Sequence, residues 1–233
     1  MQQRYAIIRP GLFSPENGAD KRRPEFDAHN EVLVYHNVPV DFVFLGDSIT
    51  HYWDIQTYFG RKGTVMVNRG IGAEVTSIAL RRYEADVIQL KPNHVVIKLG
   101  INNMFPLDAW NEEERREPDE IHREIVGDMA KMVRRAQENG IKPIVCSILP
   151  VYLDTLASTP FKNHLIISVN EALRVMSEEL QAIYVDYHLN FVQQDGRTLR
   201  PELAYDGIHP NVYGYNIMAD TLRTELRNKG ITI

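Results

Sequence analysis

The sequence is poor in cysteine and has no long apolar run. Cys146 is the single cysteine among 233 residues, so an internal disulfide is excluded, and there is no Cys-x-x-Cys pair to bind zinc. Because no run of about eighteen apolar residues occurs, no transmembrane segment is predicted. The N-terminus also lacks an apolar stretch of signal-peptide length, and we therefore expect cytoplasmic residence.

Basic residues are also fewer than acidic ones. Asp and Glu outnumber Lys and Arg by 31 to 26, and a net charge of −5 does not concentrate phosphate groups, so nucleic acid is not expected as a partner. Apolar residues are not scarce: they make up 44% of the chain, which is ordinary for a folded domain and argues against disorder. At this length one large domain is favoured over two small ones.

Five short apolar runs alternate with helix-length segments along most of the chain. Runs that are apolar on both faces indicate a parallel sheet covered by helices on both sides, so we predict a three-layer α/β/α sandwich with a five-stranded parallel sheet. Ligands in such folds bind at the carboxyl ends of the strands. The predicted strands cover residues 40–45, 65–67, 95–99, 144–149 and 183–187, and the predicted helices cover residues 78–89, 121–139, 165–180 and 213–228.

The N-terminal residues differ in composition from the rest of the chain. Residues 10–24 are rich in glycine, proline and charge, which predicts an irregular arm, and a short helix is expected at residues 26–36. We therefore predict a single domain in which an N-terminal arm and helix, residues 1–39, pack on a main part at residues 40–233.

The first predicted strand leads directly into the segment Gly46-Asp47-Ser48-Ile49-Thr50. Ser48 is expected at the carboxyl end of this strand and beside the start of a helix, where the partial positive charge favours a developing alkoxide or oxyanion. The alternative is that Asp47, Ser48 or Thr50 only caps the helix. Thr50 stands where a G-x-S-x-G elbow has its second glycine, so the segment is not that of ordinary α/β-hydrolases.

The loop after the second predicted strand is rich in glycine. Gly70 and Gly72 allow tight turns that expose backbone amides. A dinucleotide fingerprint would need a third glycine where Val75 stands, so a nucleotide site is a weak match. This loop nevertheless defines the alternative function, a non-catalytic α/β domain that binds a nucleotide or another ligand.

Two asparagines follow the third predicted strand, in the segment Gly100-Ile101-Asn102-Asn103. An asparagine amide at the end of a strand can donate a hydrogen bond to an oxyanion, or it can close a turn of the backbone. These residues alone favour neither interpretation.

Near the C-terminus, Asp206 and His209 are three positions apart in the segment Asp206-Gly207-Ile208-His209. One turn of chain can bring the carboxylate against Nδ1 of the histidine, which orients Nε2 toward a nucleophile and stabilises the imidazolium. The alternative is a solvent-exposed pair without a catalytic role. The other histidines have no spacing suited to a metal site, and the HExxH and P-loop motifs are absent.

Together these four segments resemble the sequence blocks of the SGNH hydrolases, also called the GDSL esterase/lipase family. The resemblance runs from about residue 40 to the last helix, and it is closest to the branch of the platelet-activating-factor acetylhydrolase catalytic subunits and their bacterial relatives. It implies a flavodoxin-like sheet with strand order 2-1-3-4-5. The chain departs from the family pattern at three positions: Ile49, where the family has a leucine, Asn103, where an aspartate is common, and Ala73, which stands in the place of the oxyanion glycine.

The resemblance also implies a role for each matching residue. Ser48 would be the nucleophile, His209 the general base and acid, and Asp206 the carboxylate that orients the histidine. The implied oxyanion hole is made of the Ser48 amide, a second-block amide from Ala73 or alternatively Gly72, and the Asn102 side chain.

The expected function is therefore a serine esterase that hydrolyses carboxylic esters of short acyl groups through an acyl-enzyme, with acetylesterase, lysophospholipase and carbohydrate O-acyl esterase activities open. No metal or organic cofactor is expected, the partner is a small-molecule ester, and a homodimer is a fair expectation. Acetyl groups should be preferred because the Ala73 methyl would lie beside the oxyanion. Candidate pocket walls are Tyr52, Trp53 and residues 104–110 and 151–161, and residues 111–120 are expected to form a surface loop rather than a lid.

Overall fold

The computed structural model describes residues 7–11, 18–61, 63–109, 111–153 and 158–233. Three predicted features lie partly outside the described residues: the N-terminal arm at residues 10–24 and the candidate pocket walls at residues 104–110 and 151–161. Within the described ranges, no helix is long and apolar enough to cross a membrane.

A parallel sheet of five strands forms the centre of the described chain. The strands are β1 (Phe42–Gly46), β2 (Met66–Gly70), β3 (His94–Lys98), β4 (Lys142–Cys146) and β5 (Ile183–Val185). Their order is β2-β1-β3-β4-β5, which confirms the predicted fold class and the strand order implied by the family resemblance. Because Gly46 pairs with both Gly70 and Lys98, the loops that leave β1, β2 and β3 start side by side.

The strand β4 is shorter than predicted. It ends at Cys146 instead of residue 149, because beyond the bond from the Ser147 amide to Val185 of β5, side chains bind the backbone in place of a neighbouring strand. Asn170 accepts a hydrogen bond from the Ile148 amide at 2.8 Å and donates one to the Ile148 carbonyl at 2.9 Å. Asn163 binds the Val151 backbone in the same way, at 2.9 and 2.8 Å. The strand β5 is also shorter than predicted, because β4 pairs with it only as far as Cys146.

Besides the N-terminal helix, the four other predicted helices are all present, and short helices accompany them. Their bounds are α1 (Gly18–Tyr35), α2 (Ser48–His51), α3 (Ile55–Phe59), α4 (Thr76–Asp86), α5 (Pro118–Glu138), α6 (Thr159–Glu179), α7 (His188–Phe191) and α8 (Val212–Asn228), with 3-10 helices at Ile88–Leu90, Asn102–Asp108, Glu112–Glu114 and Pro201–Leu203. The four other predicted helices correspond to α4, α5, α6 and α8. The helix α6 begins earlier than predicted because its first turn contains polar residues and a proline, which an apolar pattern does not mark.

Alternate strand residues face two separate cores. On one face of the sheet, residues such as Val43 and Ile97 pack in a cluster with residues of α4, α5 and α6. On the other face, Phe44 and Cys146 pack with residues of α3 and α8. Burial raises the pKa of the Cys146 thiol to about 12, as is typical of an inert core cysteine. The sheet and its two helical layers therefore form the predicted sandwich.

The helix α1 is longer than predicted. It begins at Gly18, so the prediction of an irregular arm as far as Pro24 is wrong for residues 18–24. Its sequence carries no clear apolar stripe. Polar contacts with α4 help to hold it against the rest of the domain. Arg23 donates to both carboxylate oxygens of Asp86 at 2.8 and 2.7 Å, and Asn30 donates to the same carboxylate at 3.0 Å. Such tertiary contacts are invisible in a local pattern.

Candidate active site

Ser48 lies where β1 ends and α2 begins. Asp47 precedes this helix, and its carboxylate accepts a hydrogen bond from the Ile49 amide at 2.9 Å. Asp47 is therefore the capping residue, which leaves the Ser48 hydroxyl available for other contacts. A Cβ atom on Gly46 would overlap the Thr50 side chain, so this tight strand-to-helix turn requires glycine there. As the first residue of α2, Ser48 has an amide without an intrahelical acceptor.

Ser48, His209 and Asp206 form a chain of hydrogen bonds. Ser48 Oγ lies 2.8 Å from His209 Nε2, and His209 Nδ1 lies 2.6 Å from Asp206 Oδ2. Ser48 is buried, whereas 27% of the His209 side chain and 53% of the Asp206 side chain are exposed. In this geometry the imidazole can take the hydroxyl proton of Ser48, and the carboxylate can stabilise the imidazolium that forms.

Backbone contacts hold the loop that carries Asp206 and His209. Burial acts to raise the pKa of Asp206, but hydrogen bonds from His209 and from the Ile208 amide outweigh it and lower the pKa below its usual range. The Tyr152 amide donates to the Gly207 carbonyl at 2.9 Å. Gly207 has a φ of +81°, and a Cβ atom on it would overlap the Tyr152 carbonyl. The segment after β4 therefore fixes the position of the loop that carries Asp206 and His209. The lowered pKa keeps the Asp206 carboxylate ionised.

The loop after β2 makes a tight turn over residues 71–74. The Ile71 amide donates to the Gly46 carbonyl at 2.9 Å, which holds the turn beside the loop of Ser48. Ala73 is the third residue of the turn and has a φ of +60°, a conformation that favours glycine or asparagine there. Ala73 is also exposed. Its backbone thus adopts the conformation that a glycine would adopt without strain.

Gly70, at the end of β2, contributes to packing. A Cβ atom on it would overlap the backbone of Thr50 and His51 in α2. Its carbonyl accepts a hydrogen bond from Arg22 of α1 at 2.7 Å. Asn68 secures the same contact by donating to the Thr50 carbonyl at 2.8 Å. Close packing of α2 on β2 therefore accounts for this glycine, which weakens the nucleotide-binding alternative.

Asn102 begins the 3-10 helix that follows β3. Its side-chain Nδ2 donates to the carbonyl of Glu74 at 3.0 Å, one residue beyond Ala73. The predicted site residues thus fall into two contact groups: Ser48 with His209 and Asp206, and Asn102 with the turn at residues 71–74. The hydrogen bond from that turn to Gly46 brings the two groups together.

Asn103 has a structural role that explains its departure from the family pattern. Its side chain is buried, accepts a hydrogen bond from the Thr76 amide at 3.2 Å and donates one to the Thr76 hydroxyl at 3.0 Å. Asn103, which lies after β3, therefore caps the N-terminus of α4. Val75, the residue just before that helix, makes no capping hydrogen bond with its side chain. An ionised aspartate could accept but not donate in this position.

A buried charge pair behind the nucleophile was not predicted. Lys98 ends β3, and its Nζ lies 3.7 Å from Asp47 Oδ2, with both side chains buried. The pair compensates the negative charge of the residue next to Ser48. The position of Lys98 inside an otherwise apolar predicted strand was a sign in the sequence that a buried acidic partner would be present.

A second unpredicted feature is a buried group of charges, which we call the Arg82 cluster: Arg23, Glu74, Arg82 and Asp86. Arg82 is fully buried and binds both carboxylate oxygens of Glu74, as well as Asp86 at 2.9 Å. Burial acts to raise the pKa of Asp86, but Arg23, Arg82 and Arg69 lower it to about 2. The spacing of Arg82 and Asp86 is also typical of exposed helices, so the sequence did not reveal that these residues are buried.

The surface around His209 is open and aromatic. Tyr52 is 62% exposed, and its ring centroid lies 5.7 Å from that of His209. Tyr205 is 78% exposed and directly precedes Asp206. Trp53 is buried in the core between β1 and α8, so its prediction as a pocket wall is wrong. Within the described part of the chain, no group of histidine, cysteine, aspartate and glutamate residues is arranged to hold a metal ion.

Comparison with known proteins adds independent information. The model of the GDSL-like lipase/acylhydrolase family matches residues 44–217. An acetylxylan esterase of Geobacillus stearothermophilus is 28% identical over 176 residues, covering 74% of this chain and 76% of that protein. A lipoprotein of Bacillus subtilis is 26% identical over 187 residues, covering 67% of this chain and 74% of that protein. The crystal structure of a GDSL-like lipase from Bacteroides thetaiotaomicron superposes with a TM-score of 0.73 at 26% identity, covering 88% of this chain and 97% of that one.

Proposed function

The chain belongs to the GDSL-like lipase/acylhydrolase family and is a hydrolase, and from this premise we propose that it is a serine esterase that removes short acyl groups from carbohydrate esters. The observation that carries the proposal is the continuous hydrogen-bond chain from the Ser48 hydroxyl through His209 to Asp206, at 2.8 and 2.6 Å.

In the proposed mechanism, Ser48 Oγ attacks the ester carbonyl carbon while His209 Nε2 takes its proton. The tetrahedral intermediate collapses when His209 gives this proton to the leaving alcohol oxygen, which leaves an acyl group on Ser48. Water, activated by the same histidine, then hydrolyses the acyl-enzyme. The ionised carboxylate of Asp206 stabilises the imidazolium in both steps. The cycle uses only side chains of this chain and water.

The oxyanion that forms on the carbonyl oxygen needs donors that are fixed in advance. We assign this role to the Ser48 amide, the Asn102 side chain and the amide of Ala73, with Gly72 as the alternative to Ala73. The hydrogen bond from Asn102 to the Glu74 carbonyl supports the assignment, because it places this side chain beside the turn that holds Ala73. An amide nitrogen has two hydrogens, so Asn102 can keep this bond and still donate to an oxyanion.

Two observations support short acyl groups on a carbohydrate. The exposed Ala73 would present a methyl group beside the oxyanion, which limits the room for a long acyl chain. The Geobacillus relative is named an acetylxylan esterase, and the aligned region covers three quarters of each chain. A lysophospholipid is less well matched, since the net charge of −5 does not attract its phosphate group.

The test combines an active-site probe with a substrate panel. A fluorophosphonate probe should label the wild type and the exposed-serine control Ser168→Ala, but not Ser48→Ala. Hydrolysis by Ser48→Ala should fall by about 10⁶-fold, as in other serine triads. Nucleotide-dependent thermal stabilisation of an unlabelled protein would support the binding-domain alternative instead.

The panel should pair acetyl, butyryl and palmitoyl esters with sugar, glyceryl and lysophospholipid alcohols. We expect the highest kcat/KM for acetylated sugars. Equal turnover of acetyl and palmitoyl esters would contradict the short-acyl assignment, and a preference for lysophospholipids would contradict the carbohydrate assignment. Neither result would affect the role of Ser48.

A further inference from the structure

Two exposed tyrosines stand next to the proposed general base. The ring of Tyr52 meets that of His209 edge-on, at an interplanar angle of 67°, and stacks on His51 at a centroid distance of 5.0 Å. Its backbone amide donates to the Ser48 carbonyl at 2.9 Å. The Tyr52 ring is therefore held close to the triad by its neighbours, although 62% of the residue faces solvent.

Tyr205 lies on the loop that carries the other two triad residues. Its amide donates to the His209 carbonyl at 2.9 Å, and the residue is 78% exposed. Tyr205 is thus anchored by its backbone to His209, as Tyr52 is anchored to Ser48.

The direction of proton transfer decides which part of an ester meets these rings. His209 protonates the leaving oxygen, so the alcohol must lie against the imidazole. The carbonyl oxygen must instead point to the oxyanion donors, Asn102 and Ala73, on the loops after β3 and β2. Rings that flank His209 therefore contact the alcohol and not the acyl group.

We propose that Tyr52 and Tyr205 form a two-ring platform that binds a sugar ring of the alcohol part of the substrate. This inference rests on the proposed esterase function and extends it to the residues that select the alcohol. The face of a pyranose carries several C–H bonds that pack against the negative face of an aromatic ring. The phenol hydroxyls can at the same time form hydrogen bonds with sugar hydroxyls.

The openness of the platform fits an oligosaccharide better than a lipid. Isolated exposed apolar residues are ordinary, but two exposed tyrosines whose backbones are each bonded to a residue of the triad indicate a ligand surface. An alkyl chain would need a closed apolar groove to be removed from water, whereas a sugar keeps most of its hydroxyls hydrated. A flat, exposed surface also leaves room for the sugar units on either side of the acylated one.

The experiment compares two acetate esters that differ only in the alcohol. One is an acetylated methyl xyloside, and the other is ethyl acetate, which has no ring. Tyr52→Ala and Tyr205→Ala should each lower the ratio of kcat/KM for the sugar ester to kcat/KM for ethyl acetate by about three- to tenfold. The loss should appear mainly as a higher KM, because the ring binds the ground state and the transition state alike.

Matched variants control for simple disturbance of the site. Tyr52→Phe should keep most of the ratio, since the aromatic face remains. Tyr35→Ala should leave the ratio unchanged, because this tyrosine is also exposed but ends α1 shortly before the amino end of β1, whereas Ser48 follows the carboxyl end of that strand.

Each outcome bears on one proposal. Equal losses on both esters, or none, would overturn the platform while the esterase assignment stands. A change of oligomeric state in Tyr52→Ala or Tyr205→Ala, measured by light scattering, would assign the rings to a contact between subunits and would also overturn it. Undiminished hydrolysis by Ser48→Ala, in contrast, would contradict the proposed function itself.

Discussion

The Asp206–His209 pair and the Arg82 cluster both hold carboxylates by close hydrogen bonds, but they differ sharply in exposure. In the Asp206–His209 pair, more than half of the Asp206 side chain is exposed. In the Arg82 cluster, the side chains of Arg82, Glu74 and Asp86 are fully buried. The first pair can gain and lose a proton next to water, whereas in the cluster Arg23, Arg82 and Arg69 outweigh the effect of burial and keep Asp86 ionised. We infer that exposure, and not hydrogen-bond length, separates the proposed catalytic pair from the cluster that stabilises the fold.

Asp206→Asn should break the exposed pair with the largest effect on turnover. The amide cannot stabilise the imidazolium, and it favours the wrong tautomer of His209, so kcat should fall by about 10⁴-fold. Because Asp206 is largely exposed, the melting temperature should change little. Steady-state kinetics and thermal unfolding check the two parts. Asp220→Asn, an exposed carboxylate on α8, serves as the control and should keep full activity.

Arg82→Met should break the buried cluster, with a large effect on stability and a small one on turnover. It leaves Glu74 and Asp86 in the interior without their common partner, so the free energy of unfolding should fall by about 3–5 kcal/mol. Urea unfolding measures this loss, and kcat of the protein that remains folded should change far less than in Asp206→Asn. In Arg174→Met, which removes an exposed ion pair of α6, stability should hardly change. A comparable loss in both arginine variants would contradict the comparison.

Asn102→Ala sharpens the comparison because Asn102 connects the two regions. Its side chain donates to the backbone of Glu74, a member of the Arg82 cluster, yet we assign it to the oxyanion hole. If its role is catalytic, kcat should fall by about 10²–10³-fold with little change in KM. Asn103→Ala, which removes the cap of α4, should instead lower stability by about 1 kcal/mol. A purely structural effect of both substitutions would remove Asn102 from the mechanism.

Low pH should destabilise the fold by protonating the buried carboxylate of Asp86. The pKa of Asp86 is lowered from 3.8 to about 2, so its ionised form stabilises the fold at every pH above about 4. This contribution, about 2 kcal/mol, should be lost as the pH falls from about 4 toward 2. Urea unfolding between pH 5 and pH 2 should show a steeper loss of stability in the wild type than in Asp86→Asn. Parallel curves would indicate that Asp86 is not held ionised by its neighbours.

Ala73→Gly should have the smallest effect, and a favourable one. A left-handed backbone costs alanine about 1 kcal/mol relative to glycine, so glycine should raise stability by up to that amount. Activity on acetyl esters should persist, and tolerance of longer acyl groups should widen. Ala73→Val should cut turnover through a clash. If neither substitution alters stability or acyl preference, Ala73 does not border the acyl group.

The sequence predicted those parts of the molecule that depend on local pattern. The sheet order, the main helices and the loop positions of Ser48, Asn102 and His209 follow from apolar periodicity and from the family resemblance. Features that depend on distant contacts were not predictable. The length of α1 depends on Asp86, far along the chain, and the end of β4 depends on asparagines of α6. Lys98 and the Arg82 cluster were missed because a charge gives no local sign of which partner it meets.

Two of the predictions concern properties beyond a single folded chain, and a third concerns a boundary within it. A homodimer, cytoplasmic residence and the boundary at residue 39 stay predictions. The Bacillus subtilis relative is named a lipoprotein. Light scattering and fractionation of the cells that produce the protein would address the first two.

The attachment of α1 has a practical consequence for any attempt to shorten the protein. The segment by which the family is recognised, residues 44–217, excludes Arg23 and Asn30, although both bind Asp86 in the interior. A fragment that starts at this segment would keep Arg82 and Asp86 but lose two of their neighbours. The cooperative unit of folding is therefore larger than the segment that identifies the family. Fragments and fusions should be joined ahead of α1 if they are to remain intact enzymes.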